Sequence, residues 1–340
     1  MRPEKLLKPV LEIIWEASRC CEQIAEDFKR HDLKNKEDTS PVTIADYASQ
    51  ALILHRLMEL TPGVGIVAEE EGDALAAHPG MRDRIVSFLR PIEPSFTADN
   101  LIQRLDHGSH QDCRQSGGVG GGEGGGGTYW TLDPIDGTKG YLRGGQYAIA
   151  LALVEKGVPV FGVLGCPRYA EADPKRTGMM FYGGEGMEAA MVSSLTAPPR
   201  PIRVCDTVTS AQARLCESVE SAHTRHDRSK QLIDVLGISK DVLRMDSQAK
   251  YAAVAHGAAA LYMRLPVEKG YREKIWDHAA GVAVIQAAGG KVTDLNGKVL
   301  DFAQGSTLAK NRGILASNGA IHHATLAALQ VLTPDEAKWE

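Results

Sequence analysis

Three separate groups of acidic residues have types and spacing that suit chemistry. Glu69 and Glu70 follow a short apolar run, Asp133 and Asp136 flank a Pro-Ile turn, and Asp277 lies near the start of a predicted helix. Carboxylates gathered into one pocket repel each other, and their pKa values rise unless cations neutralise them. Oxygen ligands with no histidine or cysteine at ligand spacing favour Mg²⁺ or Mn²⁺ over zinc. The acidic groups therefore predict a site for divalent metal ions.

Each acidic group also has an ordinary structural explanation when it is taken alone. Adjacent glutamates usually face solvent, and an aspartate at a helix N-terminus usually caps the helix. The hexapeptide Asp-Pro-Ile-Asp-Gly-Thr at residues 133–138 is more specific. Its proline restricts the turn, two carboxylates flank that turn, and its glycine lets an oxyanion approach the backbone next to a hydroxyl. We interpret this hexapeptide as the centre of a functional site.

The helices that must position these acids follow from the spacing of apolar residues. Apolar positions at steps of three and four predict an amphipathic helix over residues 6–28. A polar break precedes a second helix, predicted over residues 43–60, which would place Asp46 near its first turn. Another helix is predicted to begin after Ser95 or Thr97.

Short runs of apolar and β-branched residues predict the strands. The run at residues 65–68 predicts a strand that ends at Glu69, and residues 128–132 predict a strand that leads directly into Asp133. Carboxylates at strand ends are well placed for a site. A hairpin is predicted from residues 147–154 and 159–164, which lie on either side of Glu-Lys-Gly.

The second half of the chain alternates between helix and strand. Helices are predicted over residues 249–256 and 276–288, and strands over residues 260–265 and 291–293. This alternation predicts α/β layering. With 340 residues, the chain is close to the size of two domains, and the Ala-Pro-Pro-Arg-Pro segment at residues 197–201 is the predicted boundary between them.

Residues 117–127 form a glycine-rich segment in which nine of 11 residues are glycine. Such a composition predicts a flexible loop. A phosphate-binding P-loop is the alternative, but Gly-Lys-Ser/Thr is absent, and the segment precedes a strand where a phosphate loop would precede a helix. We interpret this segment as an insertion without a chemical role.

Charge and cysteine content narrow the class of protein. The formal net charge of −5 predicts no general attraction to nucleic acid or to an anionic membrane. The six cysteines include no CxxC pair, so we expect free thiols in a reducing compartment. The N-terminal residues lack the apolar run of a signal peptide, and a cytoplasmic location is therefore expected. An organellar location after removal of a transit peptide stays open.

Read in order, the acidic motifs resemble those of the lithium-sensitive, magnesium-dependent phosphatases of the inositol monophosphatase superfamily. That superfamily has a Glu-Glu strand end, then Asp-Pro-Ile-Asp-Gly-Thr, then Trp-Asp-x-x-Ala-Gly. These motifs correspond to Glu69 and Glu70, to residues 133–138 and to residues 276–281. The resemblance covers nearly the whole chain. It implies a layered α/β sandwich with an α+β N-terminal domain at residues 1–196 and an α/β C-terminal domain at residues 197–340.

The segments around these motifs narrow the resemblance to one branch. Lys-Gly-Tyr-Leu-Arg-Gly at residues 139–144 is similar to the eukaryotic 3′(2′),5′-bisphosphate nucleotidases, whereas inositol monophosphatases usually have Thr-Asn-Phe there. Residues 40–47, 245–251 and 262–266 resemble the same branch. The resemblance implies hydrolysis of the 3′(2′)-phosphate of adenosine 3′(2′),5′-bisphosphate by a monomer. It leaves open whether 3′-phosphoadenosine 5′-phosphosulfate is also a substrate.

The resemblance also implies a role for each matching residue. The attacking water would be oriented and deprotonated by Asp46 and Thr138, without a phospho-enzyme. Two or three Mg²⁺ ions, with Mn²⁺ as a substitute, would bind to Glu69, Asp133, the carbonyl of Ile135, Asp136 and Asp277. Substrate contacts would come from Thr138, His223, Ser247, Lys250, Arg264 and Asp277, with His226 as the alternative to His223.

Three other functions could use some of the same motifs. The haloacid dehalogenase phosphatases have one residue between their two motif aspartates, whereas two residues separate Asp133 from Asp136. An inositol mono- or bisphosphate phosphatase would share the metal and water machinery and differ only in its specificity residues. A nucleotide sensor without activity would be expected to have lost a ligand or the Asp46 and Thr138 pair, and each of these positions is filled.

Overall fold

The computed structural model describes residues 1–31, 41–108, 127–170, 177–219, 226–266 and 270–332. Within these ranges the strands form two sheets, one from each half of the chain. Of the predicted glycine-rich loop, only Gly127 lies among the described residues. None of the described helices combines the length and apolarity needed to cross a membrane.

The first sheet contains seven strands within the described residues, and their spatial order is their order along the chain. They are β1 (Gly65–Ala68), β2 (Thr128–Asp136), β3 (Ala148–Glu155), β4 (Val158–Ala170), β5 (Thr177–Gly184), β6 (Met187–Val192) and β7 (Arg200–Pro201). β1 is parallel to β2, and each later pair is antiparallel. The strands predicted at residues 65–68 and 128–132 are confirmed, although β2 continues through Asp136.

The predicted hairpin is also confirmed, since β3 and β4 pair antiparallel. Lys156 and Gly157 connect them, with φ values of 52° and 76°. Two successive residues with positive φ form the kind of turn whose twist matches that of a β-hairpin. The Glu-Lys-Gly segment therefore closes the hairpin through local backbone geometry.

Helices from the first half of the chain are packed mainly on the first sheet and on each other. They are α1 (Pro3–His31), α2 (Pro41–Leu60), α3 (Asp73–Ala76), α4 (Pro79–Leu89), α5 (Ala98–Asp106) and α6 (Thr138–Leu142). α1, α2 and α5 confirm predicted helices. Thr97 caps α5, since its hydroxyl accepts from the Asn100 N–H at 3.2 Å and the Asn100 side chain accepts from the Thr97 N–H at 3.0 Å.

The second sheet has the order β11, β12, β10, β8, β9. Its strands are β8 (Leu215–Glu217), β9 (Leu243–Arg244), β10 (Leu261–Arg264), β11 (Lys291–Thr293) and β12 (Ile314–Ser317), and its helices are α7 (His226–Leu236), α8 (Ala249–Ala255), α9 (Ala279–Ala287) and α10 (His322–Leu332). A short 3₁₀ helix, Ser210–Gln212, precedes β8. α8, β10 and β11 confirm the elements predicted at residues 249–256, 260–265 and 291–293.

The helix predicted at residues 276–288 begins later than expected, at Ala279. His278 is its N-cap and has φ of −137°, outside the helical range. The N–H groups of His278 and Ala279 donate to the Ile275 carbonyl at 3.3 and 3.0 Å, so a tight turn precedes the helix. Asp277 therefore lies in this turn and not in the helix, which corrects the prediction. Gly289, with φ of 86°, ends the helix as expected.

α9 lies between the two sheets, because it contacts β3 to β6 of the first and β11 of the second. Gly162 allows the close approach, since a Cβ there would lie 2.5 Å from the Ala280 carbonyl oxygen. These layers confirm the predicted α/β layered sandwich. The first sheet ends at Pro201 and the second begins at Leu215, and the boundary at residue 197 stays a prediction.

Candidate active site

A cleft of about 370 Å³ opens where β2 ends beside β10 and α8. It contains most of the predicted site residues: Glu69, Asp133, Ile135, Asp136, Thr138, Ser247, Lys250, Arg264 and Asp277. Asp46 does not line this cleft. His223 lies outside the described residues, and the side chain of His226, at the start of α7, is likewise not described.

Glu69 and Asp133 lie side by side because of the register between β1 and β2. Ala68 pairs with Leu132, and the Glu69 N–H donates to the Leu132 carbonyl at 3.2 Å. The two carboxyl groups that follow are in hydrogen-bond contact with each other. Burial, followed by repulsion from Asp277, raises the pKa of Glu69 to about 8. Two carboxyl groups in contact, one of them the buried Asp133, need a shared proton or a cation, so this pair fits a divalent metal ion.

The end of β2 is irregular, and this irregularity turns Asp136 toward the same cleft. The register with β3 shifts between Asp133 and Asp136. Within the shift, the Ile135 N–H donates to Asp133 Oδ1 at 3.1 Å. The Ile135 side chain is buried in the apolar core, so its backbone is the part that can face the cleft. Ser49 Oγ supports the turn by donating to the Pro134 carbonyl at 3.1 Å.

Asp136 connects the two halves of the site. Its Oδ2 accepts from the Gln248 N–H at 2.5 Å. Burial is the main cause that raises the pKa of Asp136 to about 6, with Asp277 adding to the shift and Lys250 opposing it. The carboxylate therefore lies where the acidic and the cationic parts of the cleft meet.

Thr138 is exposed at the start of α6, directly after Gly137. Gly137 has φ of 87°, and a Cβ there would lie 3.0 Å from the Ser247 Cβ. The position therefore needs glycine both for its backbone conformation and for this close approach. The result is that the Thr138 and Ser247 segments meet at the cleft.

Asp46 lies on α2 and is buried behind the Glu69–Glu70 segment. Burial is the main cause that raises its pKa well above the ordinary value, with further contributions from Glu70 and Glu69. Its Oδ1 has no hydrogen-bond partner among the described residues. No hydrogen bond joins it to Thr138 in the described part of the chain, and their joint role stays a prediction.

Two cations, the buried Lys250 and the half-buried Arg264, line the same cleft. Lys250 is only 4% exposed, and burial lowers its pKa while Asp136 opposes that shift. Its Nζ lies 5.4 Å from the centre of the Tyr262 ring. Arg264, the last residue of β10, lies 2.7 Å from Glu273 and 3.5 Å from Asp277. Cations beside a polar cleft suit an anionic ligand.

A different acidic group, Glu273, Asp277 and His278, also offers ligand atoms within 4.8 Å of one another. Glu273 Oε2 already contacts Arg264 Nε at 2.7 Å and His278 Nε2 at 3.1 Å. The guanidinium would repel a cation placed beside Glu273, so we interpret the contacts of Glu273 with Arg264 and His278 as an ion-pair network.

The predicted Mg²⁺ ligands are spread more widely than the ligand atoms of Glu273, Asp277 and His278. Among the described residues, no three of Glu69, Asp133, Asp136 and Asp277 meet the 4.8 Å spacing of ligand atoms. A site that holds more than one ion distributes its ligands around ions about 3.5–4 Å apart. The carboxylates of this set still fit Mg²⁺ by their oxygen chemistry.

Sequence reasoning assigned no role to Asp246, Glu273 or Arg143. Asp246 lies beside Ser247 and contacts Arg143, while Glu273 contacts Arg264. Asp246 and Arg143 lie in segments that resemble the family, and this resemblance could have marked them as candidate site residues. It could not predict that they pair, because the two residues are 103 positions apart.

Known proteins are similar to this chain over most of its length. A model of the inositol monophosphatase family matches residues 3–333. A 3′(2′),5′-bisphosphate nucleotidase of Oryza sativa is 38% identical over 336 residues, which cover 92% of this chain and 90% of that one. A protein of the same name from Emericella nidulans is 37% identical over 316 residues, covering 87% and 89%. That of Dictyostelium discoideum is 34% identical over 330 residues, covering 96% of each.

Solved structures support the fold. An inositol monophosphatase from Anabaena (Nostoc) sp. PCC 7120 superposes with a TM-score of 0.59 at 22% identity, covering 99% of this chain and all of the other. Mycobacterium tuberculosis SuhB superposes with a TM-score of 0.60 at 21% identity, covering 97% of each. At these identities the likeness concerns the fold alone.

Proposed function

This chain belongs to the inositol monophosphatase family, and on that premise we propose that it hydrolyses the 3′(2′)-phosphate of adenosine 3′(2′),5′-bisphosphate to AMP and phosphate. The observation that carries the proposal is a single cleft lined by the four carboxylates predicted to bind metal, of which Asp133 is buried, and by the cations Lys250 and Arg264. The carboxylates suit metal ions, and the cations suit a second phosphate. The names of the relatives support this choice of substrate.

Mg²⁺ is the proposed cofactor. The residues that would hold two or three ions, with Mn²⁺ as a substitute, are Glu69, Asp133, Asp136, Asp277 and the Ile135 carbonyl. Hydrogen-bond contact between two of these carboxyl groups, and the raised pKa of Glu69, support a cation at this place. When bound, Mg²⁺ would neutralise the carboxylates and lower the pKa of the attacking water.

Asp46 and Thr138 are the proposed base and its hydroxyl partner. Burial raises the pKa of Asp46, which suits a group that accepts a proton from water. The Thr138 hydroxyl would orient that water and relay its proton to Asp46. Catalytic hydrogen bonds often form only when substrate is bound. The lack of a hydrogen bond between Asp46 and Thr138 among the described residues is therefore compatible with these roles.

The reaction proposed for this geometry is an in-line displacement at phosphorus. The water oxygen forms a new bond to the 3′-phosphorus as the bond from that phosphorus to the ribose 3′ oxygen breaks. The proton from the water passes to the Asp46 and Thr138 pair. The departing 3′ oxygen takes a proton from solvent, and no phosphate is transferred to the protein.

The remaining phosphate would be bound by Lys250 and Arg264, which supply positive charge in the cleft. Ser247 also lines this cleft and is a further proposed contact. Thr138 and Asp277 are further proposed contacts, and His223 stays a prediction. 3′-Phosphoadenosine 5′-phosphosulfate is a second proposed substrate because it carries the same 3′-phosphate.

A substrate panel tests the proposal. Phosphate release is measured from adenosine 3′,5′-bisphosphate and inositol 1-phosphate at equal concentration, with Mg²⁺ present and with Mg²⁺ removed by EDTA. We expect preference for the bisphosphate and dependence on Mg²⁺. Preference for the inositol ester would replace the proposal with an inositol phosphate phosphatase, and trapping of a phospho-aspartate on Asp133 would replace the mechanism.

A further inference from the structure

Arg264 lies between two carboxylates at unequal distances. Its Nε is 2.7 Å from Glu273 Oε2, and its Nη2 is 3.5 Å from Asp277 Oδ2. Asp277 and Arg264 line the cleft, whereas Glu273 is 3% exposed and lies behind them. The arginine is therefore paired mainly with the carboxylate that does not face the cleft.

The Glu273 side chain is itself positioned by His278, which in turn contacts Tyr251. His278 Nε2 lies 3.1 Å from Glu273 Oε2, and His278 Nδ1 lies 2.8 Å from the Tyr251 hydroxyl. One tautomer satisfies both contacts, with the Nε2–H donating to Glu273 and Nδ1 accepting from Tyr251. His278 and Tyr251 are fully buried. Tyr251 also packs against Gly281, where a Cβ would come within 2.2 Å of the tyrosine ring.

This arrangement matters because Arg264 has two possible carboxylate partners. Charge-assisted hydrogen bonds are strongest at short range, so the 2.7 Å contact defines the guanidinium position. If Glu273 lost its charge, Asp277 would be the remaining carboxylate at ion-pair distance from the guanidinium among the described residues. The guanidinium would then pair directly with Asp277 and neutralise the negative charge with which this carboxylate attracts a metal ion.

We propose that Glu273 is a positioning residue that holds Arg264 toward itself and thereby keeps Asp277 available to bind Mg²⁺. The proposal rests on the proposed function, since it takes Asp277 as a metal ligand. The supporting chain of contacts runs from Tyr251 through His278 and Glu273 to Arg264. Partners of this kind around metal ligands change metal affinity by about 10- to 100-fold.

The test is a direct measurement of Mn²⁺ binding to the purified full chain by electron paramagnetic resonance, without substrate. Glu273→Gln is compared with wild type and with Glu217→Gln. Glu217 is the matched control, because it is 2% exposed and paired with Arg244 at 3.0 Å but does not contact Asp277 or line the cleft. We expect Glu273→Gln to weaken Mn²⁺ binding about tenfold and Glu217→Gln to leave it unchanged.

A second variant separates this role from simple destabilisation. Replacing Arg264 as well, in Glu273→Gln/Arg264→Gln, removes the competitor for Asp277 and should restore Mn²⁺ binding toward the wild-type value. A purely structural role for Glu273 would not be reversed in this way. If Glu273→Gln does not fold, His278→Asn keeps the Glu273 charge but removes its support, and a smaller loss of Mn²⁺ affinity is expected.

The outcomes distinguish this inference from the proposed function. Equal Mn²⁺ affinity in Glu273→Gln and Glu217→Gln, or failure of Arg264→Gln to restore binding, overturns the role of Glu273 while wild-type hydrolysis of adenosine 3′,5′-bisphosphate continues. If folded His278→Asn, used in place of an unfolded Glu273→Gln, binds Mn²⁺ like wild type, the proposal is likewise overturned. Absence of Mn²⁺ binding in wild type would overturn both.

Discussion

Arg143 Nη2 lies 2.6 Å from Asp246 Oδ2, and this ion pair links the end of α6 to the cleft segment that precedes α8. Arg143 is the C-cap of α6, which begins at Thr138, and Asp246 precedes Ser247. Gly140 leaves room for this contact, because a Cβ there would lie 2.9 Å from Asp246 Oδ2. The pair therefore links the segment proposed to activate water with the segment proposed to contact the substrate.

Loss of this pair is expected to weaken substrate binding more than turnover. In Arg143→Gln, the Ser247 segment loses its charged link to α6, and KM for adenosine 3′,5′-bisphosphate should rise by a factor of about 5, equivalent to about 1 kcal/mol, because Arg143 is half-exposed and the pair is partly screened. Steady-state kinetics measure the change. Arg30→Gln is the control, since its pair with Glu26 is exposed on α1. An unchanged KM would contradict the prediction.

Replacing Asp46 should abolish the base without unfolding the protein. Asp46→Asn keeps the size of the side chain but cannot accept the proton, and kcat should fall by about 10²- to 10⁴-fold. Circular dichroism checks that the fold remains. Asp27→Asn, on the surface of α1 and away from the cleft, should retain full activity. Retained kcat in Asp46→Asn would remove Asp46 from the mechanism.

Asp136 is expected to show opposite effects on activity and on metal-free stability. Asp136→Asn removes a proposed ligand, so Mg²⁺-dependent hydrolysis should be lost. In EDTA, the same change removes a buried charge that is repelled by Asp277, so Tm should stay the same or rise. Calorimetry with EDTA and the phosphate-release assay with Mg²⁺ measure the two effects. Activity equal to wild type would exclude Asp136 as a required ligand.

Stability without metal should fall as pH rises, and Glu69 should account for part of the change. Burial and repulsion raise the pKa of Glu69 from its ordinary value of 4.5 to about 8. Between these values the folded state binds more protons than the unfolded state, so the free energy of unfolding decreases with increasing pH. Below pH 4.5 the penalty is absent, and above pH 8 it is fully present.

Urea unfolding in EDTA at pH 6 and pH 8 tests this dependence. The loss of stability between the two values should be smaller in Glu69→Gln than in wild type, because the variant has no carboxyl group to ionise there. Saturating Mg²⁺ should also reduce the loss in wild type, since the cation replaces the proton. The same loss in Glu69→Gln and wild type would show that Glu69 does not titrate in this range.

Lithium provides a separate test of the proposed metal site. Li⁺ at millimolar concentration should inhibit hydrolysis of adenosine 3′,5′-bisphosphate, because a small monovalent cation can occupy a Mg²⁺ position without supplying its charge. K⁺ at the same concentration is the control for ionic strength. The assay measures initial rates at fixed Mg²⁺, and equal rates in Li⁺ and K⁺ would argue against the predicted lithium sensitivity.

Much of the site could be predicted because its signals are local. The hexapeptide at residues 133–138 combines a proline turn, two carboxylates and a glycine, and each has a conformational or chemical role that neighbouring residues determine. The strands that end at Glu69 and Asp133 were likewise predictable from short runs of apolar residues. Their pairing, which these local runs do not reveal, then brought the two carboxyl groups together.

The start of α9 shows where local signals were insufficient. The apolar pattern continues back to Trp276, but the helix begins at Ala279. His278 is held outside the helical conformation while its ring contacts Tyr251 and Glu273. Such contacts come from other elements of the fold, so helical periodicity cannot reveal them.

The sequence alone therefore determined the types of ligand, their order along the chain and the family. The tertiary structure decided which charges are paired: Arg143 with Asp246, and Arg264 with Glu273 more closely than with Asp277. Among the described residues it forms no hydrogen bond between Asp46 and Thr138. The physical reason is that ligand chemistry belongs to individual side chains, whereas an ion pair depends on distances between atoms that only packing of the elements establishes.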